Sequence, residues 1–180
     1  MYWFAKTLEN PAIARTEESV LAASLATGKK FHIDRYDPFF RLWHPAAIPD
    51  TSTPPPFSWF GRGENPIVFL RTSWDPATAV YLGIKAGTPS ASHGHMDSGS
   101  FVLDAAGLRW AADPHSRNYN ELESAGVNYW SRSQNSDRWK VWETGPFSHN
   151  TLTIAGQLHN ATGHCKVTGF TENPANVVLD

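Results

Sequence analysis

Cysteine is almost missing from this 180-residue chain: Cys165 stands alone. That excludes an internal disulfide framework and leaves the compartment open, because many periplasmic and cytosolic proteins carry no disulfide. As a lone thiol, Cys165 is expected to be a small buried residue. Charge is scarce too. Asp, Glu, Lys and Arg make up 18% of the chain and the net charge is −2, which leaves no basic field for nucleic acid and no acidic tail. No stretch approaches the ~18 consecutive apolar residues of a membrane span, so neither nucleic acid nor membrane is expected as a partner. The opening MYWFAKTLEN lacks the basic start, apolar middle and small-residue cleavage site of a secretory signal. No repeat appears at a fixed period. What is present is a globular composition, 41% hydrophobic with eight tryptophans, long enough for one main domain with a core and suited to an aromatic-rich β fold.

From Thr16 to Thr27 the text TEESVLAASLAT carries a capping-type threonine, two acids in the first turn, good helix formers and Gly28 just beyond, which predicts a helix. Pro45, Pro49, Pro54, Pro55 and Pro56 then remove backbone donors and block helix and central strand alike. Residues 1–65 therefore read as a leading helix with a proline-rich linker or arm. Residues 66–180 read as a β-sandwich, from the short runs IVFLRT, TAVYLGIK, SFVLDAAGLRWAA, NTLTIAG and NVVLD separated by turn residues. The clearest hairpin spans Ser100 to Ala112, with a loop expected over Asp104 to Gly107, so that Leu103 faces Leu108 and Asp113 falls opposite Ser98. The fold class expected is mainly β: an antiparallel β-sandwich preceded by a short helix and the proline-rich arm.

The chemistry concentrates in SHGHMDSGSF, residues 92–101. On an extended strand, residues i and i+2 share a face roughly 6.5 Å apart, so His93 and His95 are expected to look into one cleft. For His95 and Asp113 to grip one ion the chain must bend near Gly94 or Gly99, and glycine suits that. His149, in SHNTL directly before an expected strand, is the candidate third ligand. Two imidazoles and a carboxylate fit zinc's preference for nitrogen and oxygen donors, with a fourth position left open. His32, His44, His115, His159 and His164 have no such company and read as surface or hydrogen-bonded residues.

Taken together, SHGHMDSGSFVLDAAGLRWAADPHSRNY and GPFSHNTLTIAGQ resemble the heparinase II/III-like family of polysaccharide lyases. The features that carry the likeness are the H-x-H-x-D-x-G-S-F run, a Gly-then-Trp hairpin leading to Asp113, Tyr119 shortly after, and the His-Asn-Thr-Leu run ending near Gly156. The resemblance covers roughly residues 66 to 165. It implies that His95, Asp113 and His149 bind zinc or a similar divalent cation in a structural role, and that His93 lies toward the substrate cleft as base or carboxylate partner. It implies a periplasmic or secreted protein acting on an acidic polysaccharide or oligosaccharide. Family enzymes also place a helical toroid domain ahead of the sandwich; no such domain fits in the first 65 residues, so the chain reads as the sandwich side of a lyase whose toroid is a missing partner. A departure is the Asp113, Pro114, His115 run, where the family usually has a glycine soon after the aspartate.

The reaction implied is β-elimination. A uronate's C5 proton becomes acidic once its neighbouring carboxylate is neutralised, so the site needs cationic or hydrogen-bonding groups on that carboxylate and a base near the proton. His93, Tyr119 and Tyr129 are the candidate catalytic residues. The stretch YWSRSQNSDRWKVWE offers aromatic faces for sugar rings and cations for carboxylates, with Arg132, Arg138 and Trp139 the candidate substrate-binding residues. Asp97 is read as an orienter of one of the histidines. Two other readings use the same residues. His95 and Asp97 with a distant His149 also spell the 2-His-1-carboxylate set of non-haem iron oxygenases, but no arginine follows His149 to hold a cosubstrate, which favours Asp113 over Asp97 as the carboxylate. A non-catalytic carbohydrate-binding or structural sandwich module is the other.

Overall fold

The computed structural model describes residues 1–26, 39, 42–44, 56–113 and 118–180. Gly28, His32, the prolines from Pro45 to Pro55, and the Pro114–His115 step lie outside the described residues. Two compact units divide the chain, Met1–Pro55 and Pro56–Asp180.

In the first unit, helix α1 (Tyr2–Thr7) leads through a 3-10 turn at Pro11–Ala14 into helix α2 (Arg15–Ala26). Tyr2, Ala5 and Ala14 form its small core. The Tyr2 hydroxyl donates to Glu18 at 2.6 Å, and burial together with that carboxylate pushes the phenol's pKa up. The expected helix is present, but Thr16 does not cap it. Because the 3-10 turn runs straight into Arg15, Thr16 already lies inside the helix, and its carbonyl accepts from Ser19 Oγ at 2.8 Å.

Every strand pairing in the second unit is antiparallel. Strands β1 (Ser58–Gly61), β2 (Ile67–Arg71), β3 (Tyr81–Lys85), β4 (Phe101–Ala105) and β5 (Leu108–Ala111) form one sheet in sequence order, and β6 (Val167–Glu172) pairs with β7 (Ala175–Leu179) in a second. The architecture is mainly β, as the turn-punctuated runs predict. The unit starts ahead of the residue 66 expected from sequence because Trp59 and Phe60 of β1 pair with Phe69 and Val68 of β2. Directly opposed residues share a sheet face. Phe60, Val68 and Ile84 are in register on one face, where Phe60 meets Phe170 of β6 with ring centroids 5.6 Å apart and Val68 is fully buried. On the other face stand Trp59, Phe69 and Gly83 in one row, and Arg71, Tyr81, Asp104 and Arg109 in the next.

Three expectations are corrected. The β4–β5 connection is a two-residue turn, Ala106 and Gly107, both at positive φ, the geometry whose twist matches a hairpin; Ala105 therefore faces Leu108, and a bulge then sets Leu103 opposite Ala111. Asp113 consequently falls near Phe101 instead of Ser98. The NTLTIAG run is no strand. Asn150 Nδ2 donates to the carbonyls of Phe101 (3.0 Å) and Ala112 (2.7 Å), and Thr151 Oγ1 to Ser98 O (2.6 Å), so side chains take acceptors that a ladder would use, and Leu152 and Ile154 stay 88% and 85% exposed. Cys165 is half-buried, not fully buried; its backbone bridges to Gly87.

Candidate metal and acid-base site

The His93–Ser100 segment folds as a string of turns, which overturns the strand premise for the histidine pair. His93 sits at φ 56° and Gly99 at φ 77°; a non-glycine residue in the left-handed region is uncommon and costs of order 1 kcal/mol. Met96 is fully buried and packs in a core with Trp139 and Ala161, its burial contributing about 1.5–3 kcal/mol. With Met96 anchored inward, His95 and Asp97 on either side of it are held at the opposite side of the loop. The loop is tied from behind: Arg138 Nη2 donates to Gly94 O at 2.6 Å and Met96 N to Thr144 O at 2.9 Å.

Those ties bring His95 to His149, which follows a 3-10 turn at Pro146–Ser148. His95 Nδ1 and His149 Nε2 are 3.3 Å apart. On the far side of the second ring, His149 Nδ1 meets Asp113 Oδ1 at 2.9 Å, an arrangement that fixes the ring and keeps its proton on Nδ1. Nε2 then presents a lone pair to His95. Asp97 completes a set with His95 and His149 whose ligand-type atoms all lie within 4.8 Å of one another, and both Asp97 oxygens are also held by Lys85 Nζ, at 2.5 and 2.6 Å. Burial lowers the His95 pKa, partly offset by the Asp97 charge. For His149, burial acts downward, but the hydrogen bond and charge of Asp113, joined by Asp97, outweigh it and the pKa is raised.

The donor set fits a divalent cation. Two nitrogens each ~2.0–2.1 Å from a tetrahedral centre stand about 3.3–3.4 Å from one another, which is the separation found here. The cluster borders a cavity of about 290 Å³ that opens onto the Trp59–Phe69 sheet face and is lined by Tyr81, Lys85, His95, Asp97, Asp113 and His149 among others.

The remaining candidates fall into two groups. His93 is exposed, and its Nδ1 lies 3.1 Å from the Tyr119 hydroxyl; Tyr119 opens helix α3 (Tyr119–Ser124), which Asn118 caps by accepting from Asn120 N at 3.0 Å. Trp130, 53% exposed, packs edge-on to both rings. Tyr129 lies beneath: it is 1% exposed, its ring centroid 5.1 Å from that of Tyr119, and burial raises its pKa, so it supports Tyr119 and does not reach the surface. Arg138 and Trp139 are also inside the fold, 2% exposed each, which removes them from a sugar-facing surface. Arg138 spans the carbonyls of Gly94 and Tyr129 (3.0 Å) with its guanidinium over the Tyr129 ring; it is a positioning residue for the histidine loop. Arg132 is exposed and donates to Ser90 O. Sequence reasoning missed Lys85 and Asn150. Lys85 was legible as the one charged residue closing the apolar run YLGIK, whereas nothing in sequence marked Asn150 as the clamp between β4 and the end of β5.

The profile of the heparinase II/III-like C-terminal domain matches residues 70–171, more than half of the chain. The chain belongs to the heparinase II/III-like family. The matched segment runs from β2 into β6 and contains the histidine cluster, the His93–Tyr119 pair and the Arg138 strut. A search of curated proteins gives no match to this chain. Membership relates this heparinase II/III-like domain to polysaccharide lyases. Among the described residues no helix is long and apolar enough to cross a membrane.

Proposed function

We propose that this domain supplies the cation-holding side of a lyase site that cleaves a uronate-containing polysaccharide by β-elimination. The observation that carries the reading is the pairing of His93 Nδ1 with the Tyr119 hydroxyl at 3.1 Å, exposed on the loop whose other end carries the histidine cluster. In the reaction the C5–H bond breaks toward a base, its electron pair becomes the C4–C5 double bond, the C4–O bond breaks, and the departing oxygen takes a proton. His93 is the group proposed to meet the substrate carboxylate or take the proton. Tyr119, in hydrogen-bond reach of the same ring nitrogen, passes a proton to or from it.

His95 and His149 would hold the cation with Asp97, whose carboxylate lies within reach of both rings; Asp113, the carboxylate ligand expected from sequence, lies instead on Nδ1 of His149, where it would orient that ring. Lys85 Nζ already holds both Asp97 oxygens, at 2.5 and 2.6 Å, so a cation there would compete with the ammonium for that charge. Bound zinc or a similar ion would supply a fixed cross-link between the His95 loop and the His149 turn, with Asp113 bracing the turn from beyond β5. The proposed partner is a helical toroid domain that completes the cleft, and the proposed compartment is the periplasm or the exterior. The test is to incubate the chain, alone and with such a domain, with heparosan and alginate, and to follow ultraviolet absorbance of the conjugated double bond. Unsaturated product that vanishes in His93→Ala supports the reading; binding of polymer without product in either mixture favours a non-catalytic module.

A further inference from the structure

We propose that a second cavity of this domain, built on Arg71, Trp74 and Tyr81, is a remote subsite for one carboxylate-bearing sugar unit of an acidic glycan. The proposal rests on the polysaccharide reading above and extends it to residues outside the histidine cluster. The cavity has a volume of about 440 Å³. Its floor is the transverse row of the open sheet face, Arg71 opposite Tyr81, Tyr81 opposite Asp104, Asp104 opposite Arg109.

The charges in that row are not equivalent. Arg109 is consumed by a forked pair with Asp104, Nε to Oδ1 at 2.5 Å and Nη2 to Oδ2 at 2.8 Å. Arg71 has no carboxylate partner among the described residues; its guanidinium carbon lies over two aromatic rings, 3.9 Å from the Trp74 centroid and 4.9 Å from that of Tyr81. A guanidinium held against aromatic faces in this way keeps N–H donors for a planar anion such as a carboxylate. The cavity thus offers one uncompensated positive charge between aromatic surfaces. That is the complement of a uronate ring, which bears one negative charge and apolar C–H faces. A polyphosphate would require several unpaired cations.

The walls are braced in advance. Trp74, 45% exposed, stands on a turn in which Asp75 Oδ1 accepts from Ala77 N (3.0 Å), Asp75 Oδ2 from Thr78 Oγ1 (3.1 Å), and Ser73 Oγ from Asp75 N (3.0 Å). A wall ordered before binding spares the ligand the cost of ordering it. Tyr81 lines this cavity and the one beside the histidine cluster alike. From Lys85, which grips Asp97, back to Tyr81 is four strand residues, about 13 Å, so a chain lying along the face would fill both cavities with different sugar units.

The experiment titrates the ¹⁵N-labelled full chain with an unsulfated mannuronate trisaccharide, using maltotriose as the neutral control and Trp74→Phe to assign the indole signal. The expected result is a shift of the Trp74 indole N–H with the uronate and none with maltotriose. Arg71→Gln should weaken binding about tenfold or more, as loss of a charge-assisted pair does. Trp74→Ala, at an exposed turn, should do likewise with the remaining amide spectrum unchanged. Uronate shifts confined to other residues, with affinity unaltered in both variants, would overturn the subsite while leaving the polysaccharide reading standing. No shift anywhere also overturns it, and elimination activity then judges the wider reading by itself.

Discussion

Arg138→Met isolates the strut behind the histidine loop. The guanidinium is 2% exposed, donates to Gly94 O at 2.6 Å and to Tyr129 O at 3.0 Å, and lies over the Tyr129 and Trp139 rings, 4.4 and 5.3 Å from their centroids. Hydrogen bonds from a charged donor are worth about 1.5–3 kcal/mol each, so the two together hold about 3–6 kcal/mol. Methionine keeps much of the volume and also relieves the cost of burying a charge, which returns part of that sum. Two carbonyls in the interior are left without a donor. The net loss expected is about 2–4 kcal/mol.

Denaturant unfolding followed by tryptophan fluorescence measures it as a fall in midpoint at constant slope. A second readout tests position as distinct from bulk stability. Gly94 lies between His93 and His95, so freeing its carbonyl should loosen the 3.3 Å approach of His95 to His149 and lower zinc affinity under conditions where the variant remains folded. Arg138→Lys, with one donor group in place of a fork, should fall between the two proteins on both measures. A stability loss under ~1 kcal/mol together with unchanged zinc affinity would refute the reasoning, since it would mean that neither carbonyl depends on the strut.

Other outcomes follow from the same geometry. Asp97→Ala should abolish stoichiometric zinc binding in a chelator competition, while Asp113→Ala, which removes only the orienting partner of His149, should weaken it about 10–100-fold; zinc retained in full by Asp97→Ala refutes the proposed ligand. Zinc binds the deprotonated ring, so binding by the wild-type chain is expected to persist above the raised pKa of His149 and to be lost as pH falls through it. Removing Asp113 leaves burial as the dominant influence, so in an Asp113→Asn variant that still binds, the acid limb should move to lower pH even as affinity drops; a limb that stays in place shows that Asp113 does not set it. Gly94→Ala would bring a Cβ within 2.6 Å of Pro89 O and 3.0 Å of Ala91 O. Both are backbone atoms that cannot swing aside, so a lower melting temperature, about 1–3 kcal/mol, and weaker zinc binding are expected. Tyr119→Phe should lower the turnover of unsaturated product by about 10²-fold or more with little change in KM, and an unchanged turnover removes Tyr119 from the proton path.

How much of this was legible in the sequence differs by element, and for physical reasons. Strands β2 to β5 show as apolar runs between turn residues because each pairs with its neighbour in chain order, which local pattern records well. The NTLTIAG run has the same alternation and is not a strand, since alternation reports the capacity to bury a face and Leu152 and Ile154 find no surface to bury against. The ligand candidates were legible through residue type and family likeness. Their contacts were not. Whether Asp113 stands opposite Ser98 or Phe101 turns on a two-residue turn at Ala106–Gly107 and a single bulge, and each residue of slip changes which face a side chain occupies. Arg138 and Trp139 looked like a glycan-binding surface because stacking and charge pairing use the same residue types inside a protein and on its outside. Only burial tells the two apart.

The divergence of His93 from His95 shows how the fold makes two roles from one short motif. On a strand the two rings would share a face and compete for one partner. Here the left-handed turn at His93 and the close seat of Gly94 against Pro89 O break that alternation. His93 is sent outward to the Tyr119 hydroxyl and His95 inward to His149. The inward ring is buried enough to disfavour its protonated form, which suits a ligand. The outward one stays in contact with solvent, as a group that must meet substrate and exchange protons requires. Met96 below and Arg138 behind hold this split in place, so that the cost of the strained residue is met by burial and hydrogen bonds remote from the chemistry.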